Sequence, residues 1–209
     1  MASKVLIVGC GALGSPIAAY LAGAGIGNIT VADFDNVEMS NLHRQVFYSE
    51  RSIGESKAEW LKATVASLNS EIKVNAHVGL VDKRFLETHA GDYDLIVDAA
   101  DNPSTTYMLD EFCHKQGLHM STAGVSEWRA QVFSYIPGSV RYSEIIPPPE
   151  EGCGILPCSM AGIVGPVACF AASLQSVEVI KMILGVISES GSRLITANLL
   201  KGEINVMRL

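Results

Sequence analysis

At 209 residues, with 48% hydrophobic and 18% charged residues, the chain has the length and composition of one folded domain and excludes a disordered or low-complexity segment. Its formal net charge of −7 argues against nucleic acid or an anionic membrane as the main partner, while leaving room for a local basic pocket. Five cysteines, with no secretory segment ahead of the first strand, point to reduced thiols and a cytoplasmic protein.

Lys4–Val8 is an aliphatic run predicted as a buried parallel strand, followed by Gly9, Gly11 and Gly14 and an apolar helix over Ser15–Ala24. Asn28–Asp33, rich in Ile, Thr and Val, is the second strand. The polar stretch Asn36–Ser56 is too long for an ordinary strand-to-helix connection, and loops of that length in compact domains usually carry function. Ala58, Leu61, Val65 and Leu68 then share one face of a helix over Ser56–Leu68. Lys73–Val78 is a strand, Phe85–His89 a short helix and Leu95–Asp98 another buried strand. Pro103 suits a first helical turn, so a helix is expected to Gln116.

His119–Ala123 and Gln131–Tyr135 read as two further strands, an antiparallel pair. Tyr142–Ser159, with Pro147, Pro148 and Pro149, cannot pack as helix or central strand and reads as a crossover loop or lid. The apolar run Gly162–Leu184 has membrane-spanning length, but Gln175, Glu178 and Lys181 interrupt it, so a buried helix is expected. Strands Arg193–Asn198 and Glu203–Arg208 finish the chain. The alternation predicts a single-domain α/β fold over residues 1–209. It is a Rossmann-like, doubly wound, mostly parallel sheet with an antiparallel C-terminal extension.

Strand, glycine turn, helix and an acid at the next strand end make a dinucleotide-binding fingerprint, which alone suggests a nicotinamide cofactor. The residues beyond Asp33 point elsewhere. Asp35, Asn41, Arg44, Gln45 and Lys57 stand behind the ribose-side acid, and Asp98 and Asp101 close the Leu95–Asp98 strand and its turn. An oxidoreductase has no use for that set; a site that neutralises a triphosphate during displacement at phosphorus does. Asp98 reads as a structural strand-end acid.

The succession Gly9-x-Gly11-x-x-Gly14, Asp33-x-Asp35, Asn41-Leu42-x-Arg44-Gln45, Ile53-Gly54-x-x-Lys57 and Asp98-Ala99-Ala100-Asp101-Asn102 resembles the ThiF/MoeB/HesA adenylyltransferases, bacterial relatives of ubiquitin-activating enzymes. The likeness runs on through Ala161–Pro166 and the helix holding Glu178 and Lys181. It implies that ATP activates the C-terminal carboxylate of a ubiquitin-like sulfur-carrier protein ending in Gly-Gly, giving an acyl-adenylate and pyrophosphate. The thiamine (ThiF) type is the first expectation and the molybdopterin (MoeB) type the alternative, with small-molecule carboxylate activation or a non-catalytic relative beyond those.

By the same resemblance, Gly9, Gly11, Gly14, Asp33 and Asp35 would bind the nucleotide, Asp33 through the ribose hydroxyls. Asn41, Arg44, Gln45 and Lys57 would engage the phosphates, and Asp101 would hold Mg²⁺. Arg44, Lys57, Asp101 and Cys158 are the expected catalytic residues, Cys158 as a thiol for a covalent carrier link with a sulfur donor. A homodimer is implied, with no membrane and no nucleic acid.

Family members usually begin with a helical extension whose arginine reaches the partner's ATP site; this sequence begins at the first strand without it. Many members also bind structural zinc through two Cys-x-x-Cys pairs. Here Arg141 and Glu144 stand in the first pair's place and the C-terminal strands hold no cysteine, so no zinc is expected.

Overall fold

The computed structural model describes residues 2–148, 162–187 and 191–209. Its strands are β1 (Lys4–Val8), β2 (Asn28–Asp33), β3 (Lys73–Val78), β4 (Leu95–Asp98), β5 (His119–Ser126), β6 (Arg129–Tyr135), β7 (Arg193–Asn198) and β8 (Glu203–Arg208). The helices are α1 (Gly14–Gly23), α2 (Lys57–Leu68), α3 (Lys83–Thr88), α4 (Pro103–Gln116), α5 (Tyr142–Ile145) and α6 (Gly165–Ile183). All eight strands form one sheet in the order β3-β2-β1-β4-β5-β6-β7-β8. The first five are parallel and the last three add on antiparallel.

Strand alternation assigns the two cores. Val5, Ile7, Ile29, Val31 and Val97 face α1, α2 and α6, in one cluster with Ile17, Leu61 and Ala171. Leu6, Val8, Ile96 and Met120 face the other way, against Leu86 of α3, Leu109 and Cys113 of α4 and Tyr142 of α5. Because β1 and β4 are buried on both faces, they are unbroken aliphatic runs, as central parallel strands require.

The chain winds outward from β1 through β2 to β3, then returns to lay β4 on the other side of β1. That reversal opens a crevice at the carboxyl ends of β1 and β4, where ligands bind in open α/β sheets. Helix α6 is long and apolar enough to cross a membrane by length and composition, at a mean hydropathy of 1.3 over its most apolar window, yet half of that window is buried. It packs on α1, β5 and β6, with Gln175 and Glu178 both buried.

Several boundaries differ from the sequence expectation for local reasons. Helix α3 starts two residues early because the Asp82 carboxylate accepts the Phe85 N–H at 2.7 Å and caps the turn. Strands β5 and β6 run on to a two-residue connection, Glu127–Trp128, whose Glu127 takes a positive φ of 51°. The larger correction concerns the Tyr142–Ser159 segment. Its first four residues are helix α5, because the Glu144 carboxylate caps the Arg141 N–H at 2.7 Å and buried Asp110 draws the chain onto α4. The prolines that discourage a helix stand only after that turn. Residues 149–159, and with them most of the expected lid, lie outside the described residues.

Candidate nucleotide site

The crevice is built from the glycine turn outward. Gly9 ends β1 at a φ of +95°, and a β-carbon there would lie 2.6 Å from the Ala99 carbonyl oxygen. A β-carbon on Gly14 would lie 1.8 Å from the Gly9 carbonyl oxygen. The turn is therefore folded on itself and pressed onto the Ala99–Ala100 backbone after β4. That contact carries exposed Asp101 to the rim of the crevice.

Asp33, at the end of β2, reaches back to this turn. One carboxylate oxygen accepts the Cys10 N–H at 2.7 Å and the other the Asp35 N–H at 2.8 Å. Burial raises the Asp33 carboxyl above the ordinary range, and these two N–H groups and the Lys57 ammonium partly offset that. Burial also pushes the Cys10 thiol up, so this cysteine inside the glycine turn is a packing residue.

The Asn36–Ser56 loop is folded. Its ends are pinned by the Asn36–Ser56 bridge and by Val37 N–H donating to the Glu55 carbonyl at 2.9 Å. Two single 3₁₀ turns, Met39–Asn41 and Glu50–Ser52, shape its interior. Arg44 donates to the Asn41 side-chain oxygen at 2.7 Å, which fixes the guanidinium. Gln45 is buried over Gly11, and its Oε1 has no hydrogen-bond partner among the described residues. The loop also meets α6, since a β-carbon on Gly165 would lie 3.1 Å from the His43 carbonyl oxygen.

Lys57 opens α2, with Ser56 as the cap that accepts the Glu59 N–H. Its side chain is 6% exposed, and the ammonium lies 2.9 Å from an Asp35 carboxylate oxygen. Sequence reasoning missed Tyr48, whose buried hydroxyl lies 2.6 Å from the Cys10 carbonyl and 3.4 Å from that of Lys57. A lone tyrosine in a polar loop carries no signal of this.

Phe34 (61% exposed) and Leu80 (60% exposed) come just after the neighbouring strands β2 and β3 and offer apolar surface near Asp33.

Asp98 and Asp101 separate cleanly. Asp98 is buried, accepting the Thr106 and Thr122 hydroxyls at 2.7 and 2.8 Å and the Ala100 N–H at 3.1 Å. Gln175 of α6 donates to its backbone carbonyl at 3.0 Å. This is a structural node, as expected. The Asp101 carboxylate makes no hydrogen bond or ion pair among the described residues and is free to take a ligand. No group of three or more His, Cys, Asp or Glu poised for a metal occurs among the described residues. Cys158 lies outside them.

An open groove of about 420 Å³ lies over the antiparallel half of the sheet, lined by Gly124, Ser126, Arg129, Gln131, Thr196 and Asn205 among others. It begins at the carboxyl end of β5, one strand from Asp101. Gly124, lacking a side chain, helps to form the depression.

Contacts thus join Gly9, Gly14, Asp33, Asp35 and Lys57 in one cluster, with Gln45 over Gly11, Arg44 against Asn41, and Asp101 in the turn onto which Gly9 is pressed. Residues 1–209 match the ThiF family. The chain is 39% identical over 183 residues to "Adenylyltransferase and sulfurtransferase MOCS3" of Dictyostelium discoideum, covering 87% of this chain and 43% of that protein. It is also 39% identical over 186 residues to the protein of the same name from Aedes aegypti, covering 88% and 42%. The chain therefore spans less than half the length of these relatives.

Among solved structures, E. coli MccB with ATP superposes with a TM-score of 0.83 at 28% identity, covering 99% of this chain and 63% of MccB. The microcin C7 biosynthetic enzyme MccB in complex with N-formylated MccA gives 0.84 at 27%, covering 99% and 64%.

Proposed function

The chain belongs to the ThiF family, and on that premise we propose that it adenylylates, at the expense of ATP, the C-terminal carboxylate of a small ubiquitin-like sulfur-carrier protein. The observation that carries this reading is the meeting of a glycine turn, a buried ammonium, a fixed guanidinium and a free carboxylate at one switch point of the sheet. A dinucleotide site needs the first of these and has no use for the rest. Relatives named adenylyltransferases and a neighbour solved with ATP support the same reading.

In the proposed reaction an oxygen of the carrier's terminal carboxylate attacks the α-phosphorus of ATP. The new P–O bond forms as the bond to the pyrophosphate oxygen breaks, and pyrophosphate leaves with that electron pair. No general base is required, because the carboxylate is already ionised near neutral pH. The work of the protein is to hold two anions in line and to stabilise charge gathering on the phosphate oxygens. Lys57 and Arg44 supply positive charge, Asp33 takes the ribose hydroxyls, and the N–H groups of the glycine turn from Gly11 onward face the phosphates.

Mg²⁺ fits Asp101, since it commonly takes one or two protein carboxylates and completes its octahedron with phosphate oxygens and water. When bound, it supplies further positive charge to the leaving pyrophosphate. The groove leading from β5 is the proposed path of the extended Gly-Gly tail. Cys158 is proposed as the thiol that afterwards attacks the acyl-adenylate carbonyl, its C–S bond forming as the bond to AMP breaks and AMP leaves.

The test is ATP–pyrophosphate exchange with carriers of the thiamine and molybdopterin types, each with a free or an amidated C-terminus. Exchange is expected only with a free carboxylate. The thiamine-type carrier is our first expectation, and the molybdopterin type fits as well. Tight nicotinamide binding with no exchange would replace the reading by a dehydrogenase.

A further inference from the structure

Five residues around the crevice close a ring of hydrogen bonds. The Cys10 N–H donates to Asp33, and Asp33 also accepts the Asp35 N–H. Asp35 accepts from Lys57 twice, its backbone carbonyl from the Lys57 N–H at 3.0 Å and its carboxylate from the ammonium at 2.9 Å. Tyr48 returns the ring to Cys10: its hydroxyl lies 2.6 Å from the Cys10 carbonyl, with the Lys57 carbonyl at 3.4 Å. Each member is thereby fixed relative to the glycine turn.

We infer that Asp35 is a positioning residue rather than a nucleotide ligand: it seats the Lys57 ammonium beside the glycine turn and keeps hold of it when a triphosphate enters. Two exposures support this role. The Lys57 side chain is 6% exposed, so its ammonium without a counter-charge would suffer a large desolvation cost and turn away. The Asp35 side chain is 50% exposed, so water solvates the rest of the carboxylate while one oxygen holds the ammonium. A triphosphate must then share the same cation. Asp35 also adds a negative charge beside the incoming phosphates. It therefore weakens ATP binding while keeping Lys57 aimed for the transition state.

This sets opposite signs on two measurements. Asp35→Asn removes the competing charge, so ATP should bind about threefold to tenfold more tightly by calorimetry. Turnover in carrier-dependent exchange should fall about tenfold or more, because Lys57 has lost its seat. Lys57→Met should weaken ATP binding and lower turnover. Adding Asp35→Asn to Lys57→Met should cost no further turnover, since Asp35 acts through that ammonium. Thermal melts of Asp35→Asn and of Asp35→Ser, measured alongside, show that a fold defect does not produce the effect.

Weaker ATP binding in both Asp35 variants would make Asp35 a direct ligand and overturn the inference. So would an additive turnover loss in the double variant. The turnover arm rests on the adenylylation reading and the affinity arm does not. Affinities that move as stated with no carrier supporting exchange would sink the reading and leave the inference standing. A wild type that binds no ATP overturns both.

Discussion

Asp98 and Asp101, three positions apart after one strand, have opposite fates. Asp98 is sealed under α4 and α6 with three donors, and burial still lifts its carboxyl above the ordinary range despite those hydrogen bonds. The folded state therefore binds this proton more tightly than the unfolded chain. The stability that this confers is fully present below the unfolded value near pH ~4 and is lost as pH rises through the raised folded value. Asp98→Asn removes that loss, and its amide can serve the two threonine hydroxyls as donor once they rotate. The melting temperature of the variant relative to wild type should climb between pH 4 and pH 7; a flat difference would show that the carboxyl does not titrate there. Asp101→Asn is expected to leave the melt unchanged and to cut Mg²⁺-dependent exchange about a hundredfold or more, because the missing charge faces the phosphates alone. Full exchange in that variant would remove Asp101 from the site.

Within the glycine turn, two residues of one type do different jobs. A β-carbon on Gly14 would meet the Gly9 carbonyl at 1.8 Å, so Gly14→Ala must open the turn at the start of α1. A loss of about 2 kcal/mol or more in chemical denaturation is expected. A β-carbon on Gly11 would meet only the Gln45 amide nitrogen, at an ordinary 3.5 Å. Gly11→Ala should therefore fold with nearly wild-type stability yet bind ATP about tenfold or more weakly, because the methyl group occupies space a phosphate would approach. Equal destabilisation of the two variants would show that both glycines serve packing alone.

At the scale of the whole molecule, the question is what ties the segment after β6 to the rest. Asp110 of α4 is buried and accepts from Arg141 at 2.9 and 3.2 Å, from the Tyr142 N–H at 3.1 Å and from the Ser143 hydroxyl at 2.7 Å. Tyr107 of the same helix donates to the Ile146 and Pro147 carbonyls, each at 3.0 Å. Arg141 and Glu144 are thus engaged with this clamp and with each other's backbone, not available as metal ligands. Metal analysis of the purified protein should find no stoichiometric zinc, and a chelator should leave the melting temperature unchanged. Asp110→Ala, by contrast, strands a guanidinium, an N–H and a hydroxyl, and should cost about 3 kcal/mol by denaturant titration. A chelator-sensitive melt would return the tether to a metal.

Periodicity and spacing were enough for the architecture. Unbroken aliphatic runs at β1 and β4 can only be strands buried on both faces, and the fingerprint from Gly9 to Asp33 is a local, contiguous signal. The long Asn36–Ser56 stretch and the Asp98–Asn102 run marked the site because such polar segments have no packing reason to exist. The sequence could not rank residues of one kind. Asp98 and Asp101 are the same carboxylate in one dimension, and burial distinguishes them only once α4 and α6 cover the first. Lys57 is expected at the phosphates, but its pairing with Asp35, twenty-two positions earlier, appears only when β2 and α2 bring the two within 2.9 Å. Tyr48 and Asp110 were invisible for the same reason, each defined by partners thirty or so residues away. Secondary structure arises from short-range sterics and hydrophobic period, which the chain writes locally. Charge pairing and desolvation depend on what is packed around a group, and that exists only after folding.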